Sequence, residues 1–192
     1  MPVRFTFPSF VSPSIMPRNL VLTVTGPDRV GMVEEVAGLV AARGGNVEVS
    51  RMARLGGEFA ILMLVAVPDD RLDGLETDLS RLSDRGYTVS TTQARAGASA
   101  HPDARRYRIA VQGADHEGII QEVARYLSHL GINIESADSD TIPAPISGVP
   151  LFTMTAEVAV PPAPEGPEDW ESGLRELAAH QNLEVDVEPV EG

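Results

Sequence analysis

The chain has no cysteine, which excludes disulfides, thiolate nucleophiles and thiolate metal sites and fits a reducing compartment. Basic residues are few. Lys and Arg number 15 against 28 Asp and Glu, a formal net charge of −13 over 192 residues. Duplex affinity comes largely from neutralising phosphates with Lys and Arg, so this surface would repel nucleic acid. No segment of helical character reaches the ~20 consecutive apolar residues needed to span a bilayer. The four histidines, His101, His116, His129 and His180, have no HExxH or clustered spacing, so no metal site is expected. Nothing resembles a nucleophile elbow, a P-loop or a dinucleotide fingerprint. No catalytic residue and no cofactor is therefore expected, and the chain reads as a cytoplasmic protein that is not an enzyme.

What is present is a repeat. Val24-x-Gly26-x-Asp28-x-x-Gly31-x-x-x-Glu35-Val36-Ala37 recurs as Val111-x-Gly113-x-Asp115-x-x-Gly118-x-x-x-Glu122-Val123-Ala124, every identity 87 positions on. The register continues from Gly44, Asn46 and Glu48 to Gly131, Asn133 and Glu135. Roughly ten identities over roughly thirty residues at so long a period imply two whole domains rather than a solenoid. Domains of about 80 residues are near the lower limit for burying a core alone, so the copies are expected to pack on one another.

Local patterns give each copy the same order of elements. Leu20–Thr25 is a β-rich run ending at the turn pair Gly26-Pro27. Val30, Val33, Val36, Ala37 and Val40 then recur at helical spacing until Gly44-Gly45. Residues 46–54 and 58–67 read as strands joined through Gly56-Gly57, a pair suited to a tight hairpin. Leu72, Leu75, Leu79 and Leu82 mark a second helix, and residues 87–93 a last strand. In the second copy, strands are expected at 107–112, 132–138, 151–160 and 183–188. Its helices carry Ile120, Val123, Leu127 and Leu130, then Trp170, Leu174 and Leu177. Ser139–Pro150 reads as an insert too rich in proline to pair, and the acidic run Glu165–Glu171 as a solvated helix start.

A βαββαβ order folds as a ferredoxin-like unit, four antiparallel strands with both helices on one face. The fold class is therefore α+β, two tandem ferredoxin-like domains with antiparallel four-stranded sheets. The expected division is a disordered leader at 1–18, a first domain at 19–94, a linker at 95–104 and a second domain at 105–192. The leader has one basic residue and is broken by Pro8 and Pro13, a poor match to a cleaved signal. Ala60–Val67 is apolar on both strand faces, so a partner face or a second copy is expected to cover the side without helices.

The chemistry-bearing segments are Gly26–Gly31 (GPDRVG) and Gly113–Gly118 (GADHEG). Asp28 and Asp115 stand where helix caps are expected, with Gly31 and Gly118 in the first turn, where a glycine suggests close approach of another group. Free N–H groups at such a helix start suit a carboxylate. Asp as a plain cap and Gly as a packing residue account for the same pattern.

A strand ending in Gly-Pro-Asp-Arg-x-Gly, a helix, then Gly-x-Asn and a strand resembles the ACT domain, a small-molecule-binding regulatory module. The tandem pair resembles the glycine cleavage system transcriptional repressor group, over about residues 19–94 and 105–189. The resemblance implies an ACT-type fold and a ligand, often an amino acid, held between ACT domains by the strand–helix loops. Carried to this chain, it points to Gly26, Asp28, Arg29, Gly31 and Asn46, and to Gly113, Asp115, His116, Gly118 and Asn133. Asp28 would accept from an α-ammonium group, Arg29 and loop N–H groups would face the carboxylate, and Asn46 would bond either. Arg29 as a solvated charge, and His116 as an exposed or pH-sensitive substitute for it, are the alternatives.

With this resemblance, the chain is expected to bind an amino acid such as glycine or serine and to act on transcription through a protein partner such as a DNA-binding regulator. It is also expected to form a homo-oligomer. Pro27 and Arg29 suggest that the first loop holds an anionic group more tightly than the second. Two alternatives remain: a ligand-independent protein-interaction module, and a regulatory fragment associated with an amino-acid-metabolising enzyme.

Overall fold

Leu20, Leu22 and Val24 recur with period two, the spacing of a strand that buries one face. A computed structural model of the chain describes residues 17–95, 103–143, 150–162 and 167–190. In it these three side chains are buried on β1 (Pro17–Pro27). The chain divides into two units between Ala98 and Ser99.

In the first unit β1 is followed by α1 (Met32–Ala42), β2 (Asn46–Leu55), β3 (Glu58–Pro68), α2 (Leu72–Ser80) and β4 (Thr88–Gln93). The sheet order is β2-β3-β1-β4, antiparallel throughout. Met32, Val36 and Val40 of α1 and Leu72, Leu75 and Leu79 of α2 share one core with Leu22, Val24, Ile61, Met63 and Val65 of the sheet. Both helices therefore cover the same face. Gly56 and Gly57 turn β2 into β3 with φ of 59° and 89°, the two-residue hairpin that the sequence predicts.

The second unit repeats this with β5 (Arg105–Ala114), α3 (Ile119–His129), β6 (Asn133–Pro143), β7 (Pro150–Val160), α4 (Trp170–His180) and β8 (Leu183–Pro189). Its order is β6-β7-β5-β8, again antiparallel. Ile109, Val111, Ile119, Val123, Leu127, Val158, Trp170 and Leu174 lie in its core. Trp170 packs edge-on against Tyr107, ring centroids 5.2 Å apart. The two tandem ferredoxin-like units are those expected from the pattern.

Details differ from the sequence pattern. Val30 is wholly exposed and Val33 is 38% exposed, while Met32 is buried. The helix begins only after Gly31, so Met32 joins the expected Val36 and Val40 on the inward face, and Val30 and Val33 do not. Ile119 likewise takes the inward position expected of Ile120, which is 52% exposed. The expected insert is shorter too. Ser139–Pro143 belong to β6 and pair with Pro150–Met154, because Pro143 and Pro150 fall at the strand ends, where no ladder bond is lost. The leader through residue 16, most of the linker including His101, and residues 144–149 lie outside the described residues.

The faces without helices differ in character. By register, the first sheet shows Val21, Val49, Leu62 and Leu64 there, with Arg51 and Glu58 the only charged residues at paired positions. The second shows Asp138, Asp140, Glu157, Glu184, Asp186 and Glu188 against Arg106 and Arg108. No described helix is long and apolar enough to cross a membrane.

Candidate functional site

Each unit places its Gly-x-Asp-x-x-Gly segment where the first strand leaves the sheet beside the hairpin of the next two. The Asp28 N–H bonds the Gly57 carbonyl at 3.0 Å, and the Asp115 N–H bonds the Pro150 carbonyl at 2.9 Å. The cap positions are not the aspartates but Gly31 and Gly118, in the left-handed region at φ 87° and 91°, without side-chain capping. A Cβ at Gly31 would meet only Arg29 Nη1 at 4.0 Å, and at Gly118 nothing within 4 Å. These glycines serve their backbone angle, and among the described residues nothing approaches a Cβ there more closely than 4.0 Å. Close approach belongs instead to Gly26 and Gly113. A Cβ at Gly26 would lie 2.4 Å from the Tyr87 ring, and one at Gly113 2.6 Å from Leu183 and 2.8 Å from the Asn182 carbonyl oxygen.

The first loop is tied down by its own side chains. Arg54 Nε lies 2.7 Å from the Asp28 carboxylate. Arg29 donates from Nε to the Tyr87 hydroxyl at 2.9 Å and lies 5.6 Å from the centroid of that ring. The Tyr87 hydroxyl in turn donates to the Pro27 carbonyl at 3.0 Å. Glu35 accepts from both Arg29 and Arg85. The hydrogen bond from Arg85, with Arg29 beside it, lowers the Glu35 carboxyl below its ordinary range despite partial burial. The bonds to Glu35 and Tyr87 raise the Arg29 guanidinium above its own.

The second loop borders a hollow of about 350 Å³, lined by Asp115, His116, Gly118, Ile119, Ser139, Asp140, Thr141 and Phe152, among others. The N–H groups of Ile119, Ile120 and Gln121 precede the first bond of α3, Glu122 N–H to the Gly118 carbonyl at 3.0 Å, and so lack helical acceptors. His116 Nδ1 is 3.2 Å from the neighbouring Glu117 carbonyl. Glu122 accepts from Gln181. Among the described residues no group of His, Asp and Glu is arranged to hold a metal ion.

The structure thus brings together Gly26, Asp28, Arg29 and Gly31, and separately Gly113, Asp115, His116 and Gly118. It does not bring Asn46 or Asn133 to them. Gly26 pairs with Phe59 whereas Asn46 pairs with Ala66, seven residues along β3, roughly 23 Å at strand rise. Asn133 is removed in the same way, opposite Ala159 while Gly113 faces Phe152. Sequence reasoning passed over Arg54, Tyr87 and Arg85 in the first loop and Ser139, Asp140 and Thr141 in the second. The period of 87 held one available signal, since Arg54 and Thr141 occupy equivalent positions. A larger hollow, about 770 Å³, opens on the bare face of the first sheet among Val21, Val49, Arg51, Leu62 and Leu64. No residue of the glycine motifs lines it.

The ACT domain sequence profile matches residues 18–89, the first copy. The crystal structure of an unknown protein from Galdieria sulphuraria is 34% identical, covering 91% of this chain and 99% of that one with a TM-score of 0.76. A protein given the provisional name of glycine cleavage system transcriptional repressor is 22% identical over 92% of this chain and 99% of its own, TM-score 0.67. At that identity the likeness shows the fold. No curated protein matches the chain.

Proposed function

The chain belongs to the ACT domain family as a tandem member, and from that premise we propose that it is a non-catalytic regulator that binds an amino acid at its strand–helix loops. The observation that carries this is the hollow beside α3. Ile119, Ile120 and Gln121, whose N–H groups lack helical acceptors, line it together with Asp115. Donors from a helix start suit a carboxylate, and carboxylates suit an ammonium group. Both ends of an α-amino acid therefore find partners in one place. Isothermal titration of the full chain against the twenty amino acids tests the reading. Saturable heat with one or a few of them is expected, and silence at millimolar concentrations would refute it.

The regulator is cytoplasmic and acts on transcription through a protein partner rather than by holding DNA, as a net charge of −13 favours. The name borne by the 22% identical structure supports the link to transcription. A gel shift showing salt-sensitive, sequence-specific DNA binding by the purified chain would overturn this. The chain is also a homo-oligomer, in which a second copy covers the apolar face around Leu62, 47% exposed, and Val49, 48% exposed. A like copy meets almost no charge on that face.

A further inference from the structure

The two loops are alike in backbone and opposite in charge. In the first, the carboxylates of Asp28 and Glu35 are met by three guanidinium groups, Arg29, Arg54 and Arg85. Each acidic group already has its cation, and Arg29 is held between Glu35 and Tyr87. A ligand ammonium would have to displace Arg54, and a ligand carboxylate would have to draw Arg29 from Glu35.

Every one of those cations is gone from the second loop. Thr141 stands 87 positions after Arg54 and His116 after Arg29. Each of Arg54 and Thr141 lies in the strand row of the loop glycine, Arg54 opposite Phe59 and Gly26, Thr141 opposite Phe152 and Gly113. Leu183 packs on Gly113 as Tyr87 packs on Gly26, so His116 has no hydroxyl to hold it. Glu122 keeps the place of Glu35 but is met by the uncharged Gln181 instead of an arginine. Asp140, where the first copy has Ala53, belongs by register to the face without helices, and its carboxylate accepts from the Thr141 N–H at 2.8 Å. The ion pairs of the described second unit lie elsewhere: Arg106 with Glu135, Arg108 with Glu157 and Arg175 with Glu171.

We propose that only the second loop takes the ligand, one per chain, and that it selects for a free amine, which Asp115 receives. The first loop is the same device closed by its own arginines and serves as a strap between β1, the hairpin and the start of α1. This rests on the amino-acid reading above and adds which copy binds and which group is recognised. It reverses the sequence-based expectation that Arg29 and Pro27 make the first loop the tighter one, because that expectation left Arg29 without partners. An unpaired carboxylate at a hollow is available to an incoming cation, whereas a paired one must first lose its partner.

The test is calorimetric titration of the full chain with glycine and serine, then with N-acetylglycine and glycinamide. One site per chain is expected. Acetylation, which removes the positive charge, should abolish binding, while glycinamide, which keeps the amine, should retain measurable affinity. Asp115→Asn should weaken binding at least tenfold. Thr141→Arg, which installs at the second loop the cation that closes the first, should abolish it. Asp28→Asn should leave affinity unchanged. All three positions are exposed in the fold, and a thermal melt of each variant verifies that it remains folded. Two sites per chain, undiminished binding to Thr141→Arg, or loss on Asp28→Asn would overturn the inference while leaving amino-acid binding intact. Failure of every amino acid to bind the unaltered chain would instead overturn the underlying reading, and this inference with it.

Discussion

Arg54 Nε sits 2.7 Å from the Asp28 carboxylate, although 26 residues separate them in sequence. The pair joins the end of β2 to the strand–helix loop. Its contribution to stability is small. Arg54 keeps 68% of its side-chain surface exposed, and exposed pairs are worth about 0.2–1 kcal/mol. Arg54→Thr is therefore expected to leave urea unfolding within about 1 kcal/mol of the parent, and a larger loss would assign the pair a structural rather than a gating role.

The close contacts at the loop glycines give a sharper stability effect. Gly26→Ala drives a methyl group into the Tyr87 ring, which is held by hydrogen bonds to Pro27 and Arg29. Gly113→Ala meets the Asn182 carbonyl oxygen at 2.8 Å, and backbone cannot rotate aside as a side chain can. Overpacking of this kind costs about 1–3 kcal/mol. Both variants should unfold earlier in urea, Gly113→Ala by the larger margin. A Gly113→Ala chain as stable as the parent would mean that β8 shifts without cost.

Acid should act on the first loop through Glu35. Its folded value lies below the ordinary 4.5 because Arg85, and Arg29 after it, hydrogen-bond the ionised form. The unfolded chain then takes up that proton first as pH falls. The Glu35 contribution is complete above 4.5 and is lost as pH drops through the lowered folded value. Urea unfolding of the parent and of Glu35→Gln should thus differ near pH 6 and converge as pH falls below Glu35's folded value. A gap that stays constant with pH would show that the carboxylate charge contributes nothing.

The bare face of the first sheet should govern self-association. Leu62→Glu puts a charge among Val21, Val49 and Leu64 without entering the core, since Leu62 points away from the helices. Light scattering after gel filtration should give an oligomer for the parent and a monomer for the variant. A monomeric parent would remove the second copy as the occupant of this face.

Much of the fold could be read from the chain because its determinants are local and repeated. The alternation of Leu20, Leu22 and Val24, the spacing of Leu72, Leu75 and Leu79, and Gly56-Gly57 each specify an element by near neighbours alone. Helix phase was less legible. Val30 and Val33 have helical spacing with Val36 and Val40, yet Gly31 adopts a left-handed angle that puts the helix cap three residues past Asp28 and turns Met32 inward.

By itself, then, the sequence determined two α+β repeats in tandem, an acidic chain, and the two segments in which Asp28 and Asp115 lie. Such features depend on composition and on residues within a few positions of each other. Only the tertiary structure decided the partners of those aspartates. Arg54 reaches Asp28 across a hairpin, Tyr87 reaches Arg29 from 58 positions away, and Asn46 is carried to the far end of β3. Strand register sets these meetings, and register is fixed by which face of every strand is buried. Two segments with nearly the same motif thereby come to stand in opposite electrostatic surroundings, one closed by three arginines and the other open with none.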